Sequence, residues 1–157
     1  MELKEIGKVH HHFPDDDVRD RAGQIDGVIT VHPEFAEGIS NLENYPYIFV
    51  IAIMHKHLEE AFPLKIKPRL LLRKGYRIED LPEIGVFSSD SPSRPNPIGL
   101  SLLRLNRIVD CNVHVSGLDL FDGTPIVDIK PYTKRYCPPD KGSEAFAMNE
   151  CEEIGRH

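Results

Sequence analysis

Apolar and polar residues alternate with period two along much of the chain, which predicts β-strands. The clearest segments are Leu3–Val9, in which charged and apolar residues are interspersed, and Ile48–Met54, a β-branched run typical of a strand buried on both faces. Prolines, glycines and an Asp-Gly turn bound the other runs. The predicted strands are Leu3–Val9, Gly27–Val31, Ile48–Met54, Lys65–Arg73, Ile84–Phe87, Leu100–Val109, Asn112–Leu120 and Ile126–Ile129.

Helix signals are few. Pro33–Asn44 and Glu144–Glu153 have the composition of short helices, but no long amphipathic helix separates the strands, as a parallel α/β fold requires. We therefore expect an all-β fold, a small single-domain β-barrel of about seven or eight mostly antiparallel strands with one or two short helices. Closure into a barrel hides the edges of a sheet of this size. The expected barrel domain is residues 1–137, followed by a C-terminal tail over 138–157.

The composition agrees with one globular domain: 157 residues, of which 40% are hydrophobic and 28% charged. The longest uncharged apolar stretch, Tyr45–His55, is shorter than the roughly 20 residues that span a bilayer. The N-terminus has no signal-peptide hydrophobic region. The three cysteines, Cys111, Cys137 and Cys151, have no C-x-x-C spacing, which favours neither a disulfide framework nor a structural zinc site. We expect a cytoplasmic protein with no membrane partner.

Common catalytic motifs are absent: the sequence has no phosphate loop, dinucleotide-binding glycine turn, nucleophile elbow or H-E-x-x-H pair. A histidine run, His10–His12, precedes three aspartates at 15–17. Adjacent residues of a strand point to opposite faces, so only His10 and His12 can converge. The interpretation is a solvated loop, and no metal site is expected.

A basic stretch stands out against the overall net charge of −6. Lys65, Lys67, Arg69 and Arg73 fall on one face of a predicted strand, and no acidic residue lies between positions 65 and 77. Such segregation suits an edge that faces phosphate groups. An ordinary solvated strand face explains the pattern equally well, and the residues alone leave both interpretations open.

Two other segments are candidates for recognition. Residues 91–99, SPSRPNPIG, carry three prolines that stiffen the loop holding Arg94 and Asn96. A rigid loop loses little entropy on binding, which favours a functional role. His55 and His57 share a face at the end of the apolar strand. They either line a ligand pocket there or are simply hydrogen-bonded histidines at the end of a strand.

Two blocks resemble a known family. Gly85-Val86-Phe87 followed by SRPNPIGLS at 93–101, and LDL, DGTP and DIKPY within 118–132, are similar to the signatures of the tRNA threonylcarbamoyladenosine N6-methyltransferase family (TrmO, formerly YaeB-like). The blocks keep the family's order and rough spacing. The resemblance implies a β-barrel that binds S-adenosyl-L-methionine, forms homodimers and methylates N6 of the modified adenosine in tRNA, next to the anticodon.

If the chain has this activity, the candidate residues would have defined roles, and the resemblance itself implies the cofactor contacts. Arg94 and Asn96 would position the substrate base or its threonyl carboxylate, which Arg can bind bidentately. Lys65, Lys67, Arg69 and Arg73 would guide the RNA backbone, and Asp119 would hold the cofactor's ribose hydroxyls or amino group. The implied cofactor-binding residues are Ala22, Gly23, Gln24, His55, Lys56, Leu100, Ser116, Gly117, Leu118 and Asp119.

The chain departs from the family pattern in three places. Asp90 stands where members often carry Arg, Lys56 replaces the usual Gln, and the chain ends about 25 residues past Tyr132, where bacterial members continue. An alternative is therefore an S-adenosylmethionine-binding sensor or interaction module without tRNA methylation activity. A third hypothesis, ranked last, is a nucleic-acid-binding barrel without a cofactor.

Overall fold

Strands dominate the computed structural model, which describes residues 2–58, 62–68, 71–72 and 75–137. The strands are β1 Gly7–His10, β2 Ile25–Val31, β3 Tyr47–Ile53, β4 Lys65–Ile66, β5 Ile84–Gly85, β6 Ile98–Val109, β7 Asn112–Leu118 and β8 Pro125–Pro131. One α-helix lies in the described part, α1 Asp15–Asp20. Short 3₁₀ helices connect the strands, among them Pro33–Ile39, Leu42–Asn44, His55–His57, Ile78–Asp80, Val86–Ser88 and Lys134–Tyr136.

Six strands close into a barrel in the order β1-β2-β7-β6-β3-β8. The ring closes at β1, because Gly7 pairs with Val31 of β2 on one side and with Ile126 of β8 on the other. The pairings of β1 with β2, β2 with β7, β6 with β7, β3 with β8 and β8 with β1 are all antiparallel. Closure leaves no exposed edge of backbone donors and acceptors. The predicted all-β barrel is confirmed.

The core lies inside the barrel and follows the period-two pattern. On β3, Ile48, Val50 and Ala52 are fully buried, and the residues that alternate with them are half-buried. This strand is therefore not buried equally on both faces, because its outward-facing side chains are only partly shielded from solvent. Leu103, Val113 and Ile126 fill the same interior from β6, β7 and β8. Each such aliphatic side chain contributes about 1.5–3 kcal/mol when fully buried.

The chain divides into two compact units. Residues 1–52 with 100–157 form the first, which contains most of the barrel, and residues 53–99 form the second. The second unit has its own two-stranded antiparallel sheet, in which Lys65 pairs with Gly85 and Ile66 with Ile84.

The sequence pattern overestimated one strand. Lys65–Arg73 was predicted to be continuous, but β4 contains only Lys65–Ile66. Pro68 has no N–H to donate to a ladder, and the partner strand β5 offers only two residues. The described residues of that segment past Ile66, namely Lys67, Pro68, Leu71 and Leu72, are therefore not part of a strand.

The helix predictions differ in detail. The single helix expected over Pro33–Asn44 consists of two 3₁₀ helices, and the helix expected over Glu144–Glu153 lies outside the described residues, as does the whole tail 138–157. Helix α1, whose first turn holds Asp15, Asp16 and Asp17, was not predicted from the sequence. Carboxylates in a first turn favour a helix through its dipole.

Within the described residues, none of the helices is long and apolar enough to cross a membrane. The same residues hold no group of three His, Cys, Asp or Glu side chains placed to bind a metal. The histidine run has a local structural use instead. The His11 amide donates to Asp122 Oδ1 at 3.1 Å, and the ring Nδ1 accepts from the Phe13 amide at 3.1 Å.

Candidate functional site

The barrel unit brings two predicted glycine segments together. The amide of Gly23 donates to the Leu118 carbonyl at 3.1 Å, and the amide of Gln24 donates back to the Arg21 carbonyl at 2.8 Å. The loop between α1 and β2 is therefore held against the end of β7. Gly23 has a φ of +79°, which glycine adopts without strain, and a Cβ built there would meet no atom within 4 Å. The Ala22–Gln24 segment thus has an open side.

Gly117 lies at the same place and also requires glycine. Its φ is +92°, and a Cβ there would lie 3.8 Å from the Gly23 carbonyl oxygen and 3.9 Å from that of Leu102. Backbone from the α1–β2 loop, β6 and β7 therefore converges at one point. Convergent backbone with little side-chain cover is a surface that a ligand can approach closely.

A buried hydroxyl fixes the carboxylate at the end of β7. Ser101 on β6 is only 5% exposed, and its Oγ donates to Asp119 Oδ1 at 2.5 Å. Asp119 itself is exposed, so its second oxygen remains accessible. The hydrogen bond is charge-assisted, which makes it one of the stronger kinds in proteins. This arrangement presents a carboxylate acceptor with a restricted rotamer.

The structure limits what three other predicted cofactor residues can offer. Leu118 is fully buried, and its carbonyl already accepts from Gly23, so its side chain belongs to the core. The Ser116 hydroxyl accepts from Asn106 Nδ2 at 2.7 Å. Leu100 is 65% exposed and supplies apolar surface on the outer face of β6.

The remaining cofactor candidates lie in the second unit. His55 and Lys56 form a 3₁₀ turn directly after β3, with His55 half-buried and Lys56 exposed. The amide of Met54 donates to the Pro97 carbonyl at 2.7 Å. This bond joins the histidine turn to the end of the proline-rich loop, so the second unit brings His55 and Lys56 near the predicted recognition segment.

Arg94 is used inside its own loop. Its Nη2 donates to the carbonyls of Val86 at 3.0 Å and Ser89 at 2.8 Å. Its Nε is buried without a hydrogen-bond partner among the described residues. Asn96 is exposed, and only its carbonyl is engaged, by the Ile98 amide at 2.7 Å. Arg94 therefore shapes the loop, whereas the Asn96 side chain faces solvent.

The predicted RNA-binding residues are only partly described. Lys65 is exposed on β4, opposite Gly85. Lys67 is exposed too, and its Nζ donates to the Ile78 carbonyl at 3.0 Å. Arg69 and Arg73 lie outside the described residues.

The DIKPY block contributes an ion pair on β8. Lys130 Nζ lies 2.6 Å from Asp128 Oδ2. The hydrogen bond from Lys130 to this carboxylate, together with its negative charge, raises the pKa of Lys130 above its usual value of 10.5. Both side chains are exposed, so water screens the pair and its contribution to stability is small.

Two residues with a place in this geometry were missed. Ser101 was predicted only as the last residue of the SRPNPIGLS motif. A polar residue at an inward position of β6 indicates a hydrogen-bond partner nearby, and this signal could have identified it. Phe87 was predicted to end a strand, yet it lies on a turn and is highly exposed.

Comparisons with known proteins point to one family. The model of the tRNA-methyltransferase O N-terminal domain family matches residues 10–137. The chain belongs to this family. A Pyrococcus abyssi protein described as a probable S-adenosyl-L-methionine-binding protein is 35% identical over 135 residues, covering 83% of this chain and 67% of that protein.

Two further similar proteins are informative. The tRNA (adenine(37)-N6)-methyltransferase of Mus musculus is 37% identical over 101 residues, covering 64% of this chain and 22% of that enzyme. A crystal structure of TrmO superposes with a TM-score of 0.65 at 27% identity, covering 93% of this chain and 62% of that one. The chain therefore spans about two thirds of the archaeal relative and less than a quarter of the mouse enzyme.

Proposed function

We propose that this chain is an S-adenosylmethionine-dependent methyltransferase that methylates N6 of threonylcarbamoyladenosine in tRNA. The observation that carries the proposal is the TrmO family match over residues 10–137, which includes the convergent glycines and the Ser101–Asp119 pair. The names of the relatives support both halves of the activity: the mouse protein is a tRNA methyltransferase, and the archaeal one is described as a binder of S-adenosyl-L-methionine.

The residues of the barrel unit fit this cofactor. S-adenosylmethionine has an apolar adenine face, a ribose diol that donates hydrogen bonds, and a charged amino group. The open side of Gly23 admits a flat group without a Cβ in the way, and exposed Leu100 adds apolar surface. The accessible oxygen of Asp119 accepts from the diol or pairs with the amino group. Ala22, Gln24, Ser116, Gly117 and Leu118 complete the proposed set of this unit, and the family resemblance alone adds His55 and Lys56.

When bound, this cofactor supplies an electrophilic methyl group on its sulfonium, which a nucleophilic nitrogen displaces in line. The protein's part is to align the acceptor, because proximity and orientation supply much of the acceleration in such a displacement. Arg94 acts by fixing its loop through the Val86 and Ser89 carbonyls. Asn96 is the exposed group on that loop and would touch the modified base.

Charge supports tRNA as the substrate. Residues 53–99 contain eight Lys and Arg against six Asp and Glu, which is a net charge of +2. Because the whole chain has a net charge of −6, the remaining residues carry a net charge of −8. A basic segment on an otherwise acidic chain is suited to phosphate contacts. Lys65 and Lys67, with Arg69 and Arg73, are the proposed backbone guides.

A homodimer and a cytoplasmic location belong to the same proposal. Leu102 and Val109 expose apolar surface on the outer face of β6, which a second copy can cover. Within the described part of the chain, Cys111 and Cys137 are not joined in a disulfide, which fits a reducing compartment. Light scattering on the purified protein tests the assembly, and the expected mass is twice 17.8 kDa.

The decisive test of the activity is transfer of labelled methyl groups to tRNA purified from a strain that lacks the family's enzyme. We expect transfer to this tRNA and none to tRNA without the threonylcarbamoyl group. Arg94→Ala should lower transfer while leaving cofactor binding unchanged. Full activity of that variant would contradict the positioning role of Arg94.

A second candidate is a cofactor-binding module without methyl transfer. Asp90 favours it, because the family often has Arg there, and so does the internal use of the Arg94 guanidinium. This candidate predicts calorimetric binding of S-adenosylmethionine together with no transfer to any tRNA.

A further inference from the structure

The most exposed large apolar side chain among the described residues is Phe87, at 76%. It follows Val86, which is fully buried, so the chain turns from the interior to solvent within one residue. Leaving an aromatic ring in water forgoes a large part of the stabilisation that burial of Phe provides. Such a ring is expected where a ligand covers it.

The turn that carries this ring is held firmly. The Val86 carbonyl accepts hydrogen bonds from the Ser89 amide at 3.2 Å, the Ser89 hydroxyl at 2.9 Å and Arg94 Nη2 at 3.0 Å. The Val86 amide donates to the Leu64 carbonyl at 2.9 Å. Backbone on both sides of the ring is thus fixed before any partner arrives, which lowers the entropic cost of binding.

Polar residues follow the ring along the chain, and a lysine lies on the strand that pairs with the residues before it. Lys65 pairs with Gly85, two residues before Phe87, and is exposed. Ser88, Ser89 and Asp90 follow the ring directly. The 53–99 segment is also the part of the chain with positive net charge. A flat apolar face on a segment of positive net charge matches a nucleobase and its phosphate.

We propose that Phe87 is the stacking platform for an unpaired base of the RNA substrate, with Lys65 contacting the adjacent phosphate. Unpaired bases in RNA loops are commonly recognised by stacking on an aromatic side chain. This inference rests on the proposed function, because it needs RNA as the substrate. It adds a substrate-binding residue to that function. The hydrogen bonds of Arg94 to the Val86 and Ser89 carbonyls then serve to support the turn that carries Phe87.

The chain contains no tryptophan, so Phe87→Trp introduces a single indole reporter on the platform. An RNA stem–loop with an unpaired anticodon loop is titrated into this variant while indole emission is followed. We expect saturable quenching with the same Kd as filter binding of the same RNA. Tyr45→Trp, which places the indole on an exposed residue of the barrel unit, is the matched control and should show no quenching.

Substitution separates stacking from simple hydrophobic contact. Phe87→Ala and Phe87→Leu should each weaken RNA binding about tenfold, and Phe87→Tyr should stay within about twofold of the wild type, because only an aromatic ring offers a face for stacking. All variants should keep their affinity for S-adenosylmethionine, which shows that they remain folded.

Four outcomes overturn the proposal. If Phe87→Trp binds RNA without quenching, or if Phe87→Leu binds RNA with full affinity, no base stacks on this ring. Methyl transfer by the wild type would then still support the proposed function. Indole emission that depends on protein concentration, without RNA, shows that a second copy covers the ring. Failure of the wild type to bind any RNA contradicts both this proposal and the proposed function.

Discussion

The hydrogen bond from Ser101 to Asp119 allows a quantitative prediction about cofactor binding. Ser101→Ala removes the hydroxyl and leaves the Asp119 carboxylate in place. The substituted position is buried, but the abandoned carboxylate is exposed and can be hydrated. The substitution therefore creates no new buried polar group without a hydrogen-bond partner. We expect the free energy of unfolding to fall by only about 1 kcal/mol.

The effect on cofactor affinity follows from side-chain freedom. Without Ser101, Asp119 has access to about three staggered χ1 positions. Restricting it again on binding costs about 0.65 kcal/mol, which is RT ln 3, and this raises the Kd for S-adenosylmethionine about threefold. Asp119→Ala removes the charged hydrogen bond itself, worth about 1.5–3 kcal/mol, and should raise the Kd about tenfold or more.

Isothermal titration calorimetry on the two single variants and the double variant measures the coupling. Because Ser101 acts only through Asp119, the double variant should bind like Asp119→Ala alone. Ser40→Ala, at an exposed serine outside the site, is the control and should bind like the wild type. Additive losses in the double variant, or an unchanged Kd in Ser101→Ala, would refute this reasoning.

Three further predictions concern stability, RNA binding and pH. Gly7→Ala should lower the free energy of unfolding by about 1–3 kcal/mol in denaturant titrations, because its Cβ would lie 2.5 Å from a carbonyl oxygen of β2, whereas Gly38→Ala, with no atom within 4 Å, should leave it nearly unchanged. Lys65→Ala should weaken RNA binding for all sequences and reduce the salt slope of log K by about one phosphate contact; an unchanged slope contradicts the assignment. Lys130 should titrate above 10.5 by NMR, because its pKa is raised by the neighbouring carboxylate. The stabilisation from this pair should persist at neutral pH and disappear as the pH rises through the raised pKa. A titration midpoint of Lys130 at or below 10.5 would contradict the pairing.

The sequence predicted the barrel well because its strands obey one strong rule. In β3, β6 and β7 the side chains that alternate along the chain also alternate between core and exterior, so hydrophobicity alone locates them. The rule failed for Lys65–Arg73, where the same alternation occurs beside Pro68 and opposite a partner of two residues. Strand length there depends on pairing, which a single segment does not reveal.

The candidate site was predictable only in part. The glycine segment Ala22–Gln24 and the region Ser116–Asp119 were inferred from family resemblance, and the structure brings them together through the Gly23–Leu118 bond. Ser101 was not singled out, because its partner lies 18 residues along the chain and only strand pairing places the two side chains side by side. The hydrogen bonds of Arg94 to two carbonyls were likewise invisible, since backbone acceptors leave no trace in the sequence.

The central claim is that this chain methylates threonylcarbamoyladenosine in tRNA. The most direct measurement is mass spectrometry of nucleosides from tRNA incubated with the purified protein and S-adenosylmethionine. We expect the threonylcarbamoyladenosine peak to be replaced by one heavier by a single methylene, with the added methyl on N6, and S-adenosylhomocysteine formed in equal amount. An unchanged nucleoside profile, under conditions where calorimetry shows that the cofactor is bound, would contradict the claim and leave a cofactor-binding module.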